Sequence, residues 1–283
     1  MRIGVISDIH VDINRNYDIY GALTEAVREQ QAEGLIIAGD ISENSDEVLS
    51  FMERLNGDGI RSWFVPGNHD MWDLGGTLAG GDTWKVWEKY CASPWCLGGR
   101  GTEHDAELPG GWVLIGDIGW YDYSLASAKF TAEELAVKSC GGRTWMDSYN
   151  AHWGMTDREL DQTMRLMLEE RIAARSAEGK KIILVTHMLT HPYFKVLRPG
   201  MWEYFNAFLG SSAYAELCMK YGVKMSLMGH VHHRQELADQ GVRYICACLG
   251  YHIEWKTDDC RKETAEALRV FEIEPAHSRD FQS

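Results

Sequence analysis

Short apolar runs, each broken by a small polar cluster, set the rhythm of this chain. Arg2–Ser7 predicts a first buried strand, and Tyr17–Gln31, apolar at Ile19, Leu23, Ala26 and Val27, predicts a helix. Gly34 opens a second strand through Leu35-Ile36-Ile37-Ala38. Asp46–Leu55 predicts a second helix with Ser45 or Asp46 as its N-cap, and Ser62–Val65 a third strand. A β-α-β-α-β start of this kind implies parallel strands joined by right-handed crossovers.

From Asp73 to Asn150 the pattern changes to glycines and aromatics, with Trp112–Ile115 and Ile118–Trp120 predicted as strands of a second sheet. Thr156–Ser176 predicts a long amphipathic helix opened by a Thr156/Glu159 capping box. Lys181–Val185 and Val223–Met228 predict further buried strands, with helical stretches at Glu203–Leu209 and Ala213–Tyr221. Val242–Cys246 and Leu268–Ile273 predict late strands. With no repeat or linker in view, residues 1–275 are expected to form a single domain and residues 276–283 a tail.

Each strand of the parallel core runs into polar residues: Asp8-Ile9-His10, Gly39-Asp40, Gly67-Asn68-His69-Asp70, Thr186-His187 and Gly229-His230-Val231-His232. Side chains at the ends of parallel strands converge on one sheet edge, where open α/β sheets bind ligands. Asp, Asn and His together suit Mn, Fe, Zn or a similar ion. On an extended backbone the D-x-H and H-x-H spacings point both side chains the same way.

Charge and cysteine usage narrow the partners. The net charge of −14 over 283 residues, without a Lys/Arg run, argues against a nucleic-acid polymer while leaving a small phosphoester possible once cations are bound. Seven cysteines, an odd number with no C-x-x-C spacing, predict free thiols in a reducing compartment. No apolar run is long enough to span a bilayer, and the first strand runs straight into a motif, so a soluble cytoplasmic protein is expected.

The five signatures, in this order, resemble those of the calcineurin-like metallophosphoesterase superfamily: D-x-H, GD, GNH[DE], a lone His and GHxH. The resemblance covers Asp8 to His232. It implies a four-layer α/β/β/α sandwich of two mixed β-sheets flanked by helices. It also implies two divalent or trivalent metal ions (Mn, Fe or Zn), one held by Asp8, His10, Asp40 and His232, the other by Asp40, Asn68, His187 and His230. Asp40 would bridge them, and a hydroxide between the ions would attack phosphorus. His69 would act as general acid toward the leaving oxygen, with Glu43 orienting it, and Asp70 would hold loop amides. The implied activity is phosphoester hydrolysis, a small phosphodiester or nucleotide being preferred over a phosphomonoester. The departures are informative. Asn44 stands where the superfamily's protein phosphatases carry a phosphate-binding Arg, which turns the resemblance toward the bacterial phosphodiesterase and phosphohydrolase branch. Arg143, Arg198 and Arg234 are the alternative anion contacts. A non-catalytic scaffold is the competing reading, against which all seven predicted ligands and His69 are present. Trp120-Tyr121-Asp122-Tyr123 is a candidate wall for an apolar or nucleobase pocket, core packing being the alternative. His191, His233, His152 and His252 are neighbours without an assigned role.

Overall fold

The computed structural model describes residues 1–274; the expected tail lies outside them. Twelve strands are present in chain order: β1 (Arg2–Ile6), β2 (Gly34–Ala38), β3 (Ser62–Val65), β4 (Ala106–Leu108), β5 (Trp112–Asp117), β6 (Ser139–Cys140), β7 (Arg143–Thr144), β8 (Lys181–Thr186), β9 (Met225–Met228), β10 (Arg234–Asp239), β11 (Val242–Ala247) and β12 (Arg269–Glu272). The helices are α1 (Ile19–Glu29), α2 (Ser45–Gly57), α3 (Asn68–Trp72), α4 (Thr83–Cys91), α5 (Ala132–Ala136), α6 (Asp147–Asn150), α7 (Asp157–Ala177), α8 (Met201–Phe205), α9 (Ala213–Tyr221) and α10 (Cys260–Ala267).

One sheet has the order β12-β1-β2-β3, the other β10-β11-β9-β8-β5-β4; β6 and β7 form a separate small hairpin. The strands β1, β2 and β3 are parallel, as are β5, β8, β9 and β11, while β12, β10 and β4 add antiparallel edges. Strand alternation explains the layering. Ile3 and Val5 of β1 and Ile36 and Ala38 of β2 point between the sheets, where they meet Leu114, Ile183, Val185, Leu227 and Ile245. Ile6, Leu35, Ile37 and Phe64 face outward onto Leu23 and Val27 of α1 and Val48 and Met52 of α2. Ile115, Ile182 and Leu184 face the other way onto Leu168 and Ile172 of α7 and Leu217 of α9. The result is the predicted stack of helix, sheet, sheet and helix.

Several elements differ from expectation. Asn44, not Ser45 or Asp46, caps α2, because its Oδ1 accepts the amides of Asp46 and Glu47; the residue in the arginine's place is occupied by a helix start. Ile118–Trp120 is not a strand: Gly119 takes φ +69° and the Ile118 carbonyl accepts the amides of both His187 and Met188. The helical stretch 203–209 is the short α8 followed by a 3-10 turn at Asn206–Phe208. The α4 and α10 helices and the β10 strand lie outside the elements expected from the sequence. All seven cysteines are free, and among the described residues no helix is long and apolar enough to cross a membrane.

A buried ion cluster joins α7 to the loop before β4. Arg171 donates to Asp105 Oδ1 at 2.7 Å and to the carbonyls of Leu97, Gly99 and Gly116, while Arg175 donates to Asp105 Oδ2. Every donor of the buried guanidinium's two terminal nitrogens thus has an acceptor in reach, as burial of such a group demands.

Candidate metal centre

The carboxyl ends of β1, β2, β3, β8 and β9 meet at one edge, and all five signatures arrive there. The backbone does not arrive extended. Among the described residues ten non-glycine positions have positive φ, and five of them are Asp8, His10, Asp40, His230 and His232. Left-handed conformations at non-glycine residues are costly and persist where the surroundings over-determine them. Asp8/His10 and His230/His232 therefore reach a common side through left-handed turns, not through the pleat expected from their i, i+2 spacing. Gly39, at φ +87°, sits so close to the His187 ring and the Gly67 amide that a Cβ would collide with both.

Hydrogen bonds lock the turns together. The amides of Asp8 and His10 donate to the carbonyls of Gly39 and Asp40. The His230 amide donates to Asp8 at 3.0 Å. Asp70 is structural as expected, accepting from the amides of Asp40, Ile41, Ser42 and Gly67 at 2.6–2.9 Å.

Two adjacent clusters result. Asp8, His10 and His232 form one, and Asp40, His187 and His230 form the other, the ligand atoms within each lying within 4.8 Å of one another. Asp40 Oδ2 stands 3.6 Å from His10 Nε2 and 3.4 Å from His187 Nε2. Its Oδ1 accepts the His69 amide. Asn68 Oδ1 is 3.1 Å from His187 Nε2, which is 3.1 Å from His230 Nδ1.

The outward nitrogens fix what the inward ones can do. His187 Nδ1 faces the Ala38 carbonyl at 2.9 Å, and His230 Nε2 faces the Phe208 carbonyl at 3.2 Å. A carbonyl only accepts, so both of these nitrogens carry the proton in the neutral rings. His187 Nε2 and His230 Nδ1 then present lone pairs to each other, to Asn68 Oδ1 and to Asp40. The first cluster repeats this: His232 Nδ1 donates to Glu254 Oε2 at 2.6 Å, leaving Nε2 as a lone pair 3.2 Å from His10 Nε2 and 3.4 Å from Asp8 Oδ1. His10 Nδ1 is buried without a partner. Acceptors converging without a donor are the arrangement a cation satisfies, so the residues fit a pair of metal ions.

The ionisation of these groups agrees. Burial lowers the affinity of His10 and His230 for protons well below the ordinary imidazole value. Burial also opposes charge on His187, but Asp40 outweighs it and lifts this group to about 10. Burial would raise Asp40, yet His187 and His69 hold it well below the usual carboxylate range. A field that retains a proton on His187 also attracts a metal cation, and the two compete for the same lone pair.

His69 lies beside both clusters. Its ring packs on Trp72 at a centroid distance of 3.8 Å, the planes tilted by 34°, and Nδ1 pairs with Glu43 Oε1 at 3.0 Å. Burial works against its charged form, but Asp40 and Glu43 prevail and raise it. His69 also falls within a third group of potential ligand atoms with His10 and Asp40.

A cavity of about 610 Å³ opens from Asp40, Asn68, His69 and His232. Trp72, Trp145, Trp202 and Tyr251 give it aromatic sides, and the exposed Arg198 and the half-buried His233 also line it. Arg234 is instead paired with Glu263, and Arg143 lies on the exposed β7. Tyr121 and Tyr123 do not line the cavity: their hydroxyls bond Asp147 and Asp157. His191 faces Asp239, and His252 packs on Asn14 and Trp255. Glu254 and Tyr251, whose ring packs against His10 and His232 at 4.7 and 4.5 Å, were not legible as site residues. They lie in the turn after β11, outside the five signatures, where only Gly250 marks a change of direction.

Comparison with known proteins agrees with this geometry. The sequence profile of the family described as calcineurin-like phosphoesterase matches residues 1–234. An acyl-carrier-protein phosphodiesterase, PptH of Mycobacterium tuberculosis, is 23% identical over 289 residues, covering 98% of this chain and 86% of that protein. The crystal structure titled phosphopantetheinyl hydrolase PptH, from the same organism, superposes with a TM-score of 0.69 at 21% identity over 96% of each chain. A dimetal phosphatase from Danio rerio gives a TM-score of 0.46 at 13% identity, covering 87% of this chain and 86% of the other. The chain therefore belongs to the calcineurin-like phosphoesterase family and is a metal-dependent hydrolase of phosphoester bonds.

Proposed function

We propose that this protein is a dinuclear phosphodiesterase. In this reading Asp8, His10, Asp40 and His232 hold one ion, and Asp40, Asn68, His187 and His230 hold the other. The observation that carries it is the convergence of His187 Nε2, His230 Nδ1 and Asn68 Oδ1, which leaves no donor among them once His187 gives up the Nε2 proton that competes with a metal ion. The donor set suits Mn, Fe or Zn. When bound, such a pair supplies Lewis acidity at the phosphoryl group and lowers the pKa of water.

The protein's own groups do the rest. Glu43 accepts the Nδ1 proton of His69 and so leaves Nε2 as the atom that carries a proton to the leaving oxygen. Packing on Trp72 fixes the plane of that ring. The aromatic sides of the cavity pack a slender, largely apolar arm of the substrate, and Arg198 meets a polar or anionic group on it. A phosphate bearing only small substituents would leave most of 610 Å³ unfilled, which favours a substrate with a large ester arm. The relative's name supports the same choice, and a phosphopantetheinyl diester, with a long amide-bearing arm, is the first biological substrate class to test. Seven free thiols support a reducing compartment.

The test compares initial rates of Mn²⁺-reconstituted protein on bis-p-nitrophenyl phosphate and p-nitrophenyl phosphate, with Asp40→Asn as control. Faster diester turnover, absent in the control, is expected. Preferred monoester turnover would overturn the diester reading, and turnover undiminished in the control would overturn the site.

A further inference from the structure

The aromatic-rich stretch between β5 and α7 sends one carboxylate into the centre of the site. Asp147, the first residue of α6, is fully buried, and its side chain accepts four hydrogen bonds. Oδ1 takes Asn68 Nδ2 at 2.9 Å and Trp72 Nε1 at 2.8 Å. Oδ2 takes Trp145 Nε1 at 2.8 Å and the Tyr121 hydroxyl at 3.1 Å. All four donors are neutral.

Their identities matter. An ionised carboxylate only accepts, so the Asn68 amide must turn its NH₂ toward Asp147 and its Oδ1 toward His187 and His230. Without that acceptor the lone pairs of His187 Nε2 and His230 Nδ1 would draw the NH₂ end of the amide toward themselves, since its two ends are nearly equal in shape. Trp72 is the ring on which His69 packs. Trp145 forms part of the cavity wall and lies edge-on to His230 at 5.7 Å. A single side chain thus touches a proposed metal ligand, the ring that packs on the proposed acid, and the substrate wall.

We propose that Asp147 is a positioning residue: it fixes the sense of the Asn68 amide and holds Trp72 and Trp145 in register, so that the 121–155 segment governs retention of the ion at His187 and His230. The proposal rests on Asn68 being a ligand. An amide at position 147 would turn NH₂ toward one pair of donors and strip them of their acceptor. Where it faced Asn68, that side chain would rotate its oxygen away from the metal side.

The experiment is a Mn²⁺ titration of the metal-free protein, with bound metal counted by mass spectrometry, for wild type, Asp147→Asn, Asn68→Ala and the double variant. Asp147→Asn is expected to weaken one of the two ions by about 10–100-fold and to leave the other in place. The double variant is expected to bind no more weakly than Asn68→Ala alone, because the effect of Asp147 passes through that amide. Additive losses would mean a general packing role and overturn the proposal, as would wild-type affinity in both Asp147→Asn and Asp147→Ala, the second of which offers Asn68 no acceptor in any rotamer. Wild-type affinity in Asn68→Ala would overturn the ligand assignment and the proposal with it. Where Asp147→Asn fails to fold by circular dichroism, Tyr121→Phe replaces it. That variant removes one donor to Asp147 at a residue outside the cavity; it is expected to weaken the same ion several-fold, and an unchanged affinity would overturn the proposal.

Discussion

The sharpest prediction concerns His69, because the structure places it where it could be either an acid or a ligand. In His69→Ala the ring is removed, and with it the Nε2 proton that Glu43 leaves available. A positioned general acid contributes about 10²–10⁴ in rate, equivalent to about 2.7–5.4 kcal/mol of transition-state stabilisation. The folding cost is smaller. The variant loses one hydrogen bond to Glu43, about 1 kcal/mol, and the packing on Trp72, about 0.5–1.5 kcal/mol. A domain with several kcal/mol in reserve survives that loss. The assay measures kcat on bis-p-nitrophenyl phosphate, a good leaving group, and on an alkyl diester such as a glycerophosphodiester, with metal content determined in parallel. The alkyl substrate is expected to lose the full factor and the aryl substrate much less, both ions being retained. Equal losses on the two substrates, or departure of an ion, would refute the acid assignment and make His69 a ligand with His10 and Asp40.

Three further outcomes are expected. Asp40→Asn should bind fewer than two ions per chain and lose turnover, checked by metal analysis and the diester assay, because the charge shared between His10 and His187 is gone. Glu43→Gln should move the alkaline limb of the rate profile to lower pH, since Glu43 helps hold His69 protonated above its ordinary value and removing it lowers that value; an unmoved limb would separate Glu43 from His69. Arg171→Met should cost about 3 kcal/mol in urea unfolding, the low end for a broken buried pair because Arg175 still faces Asp105, with activity per folded molecule unchanged.

How much of this was legible follows from which interactions are local. The strands β1, β2, β3 and β8 could be read to within a residue or two because buried parallel strands appear as continuous apolar runs. The candidate ligands could be read because each stands at the end of such a run. The Thr156/Glu159 box forms as expected, the Thr156 hydroxyl accepting the Glu159 amide while the carboxylate returns to the Thr156 amide. The α2 cap is Asn44, not the expected Ser45 or Asp46; its Oδ1 accepts the first helical amides and its Nδ2 is held by the Gly75 carbonyl across the fold.

The strand ends and the set of Asp, Asn and His residues delivered to them were already written in the chain, because hydrophobic period and motif order are properties of neighbouring positions; the layers followed from the family those motifs resemble. Only the tertiary structure decided how those groups are aimed. Left-handed turns at Asp8, His10, Asp40, His230 and His232 replace the pleat. Carbonyls of Ala38 and Phe208 choose the histidine tautomers, Glu254 reaches His232 from 22 residues away, and Asp147 reaches Asn68 from 79. Each of these is a contact between segments brought together by folding, and no local pattern encodes which carboxylate will stand behind which ligand.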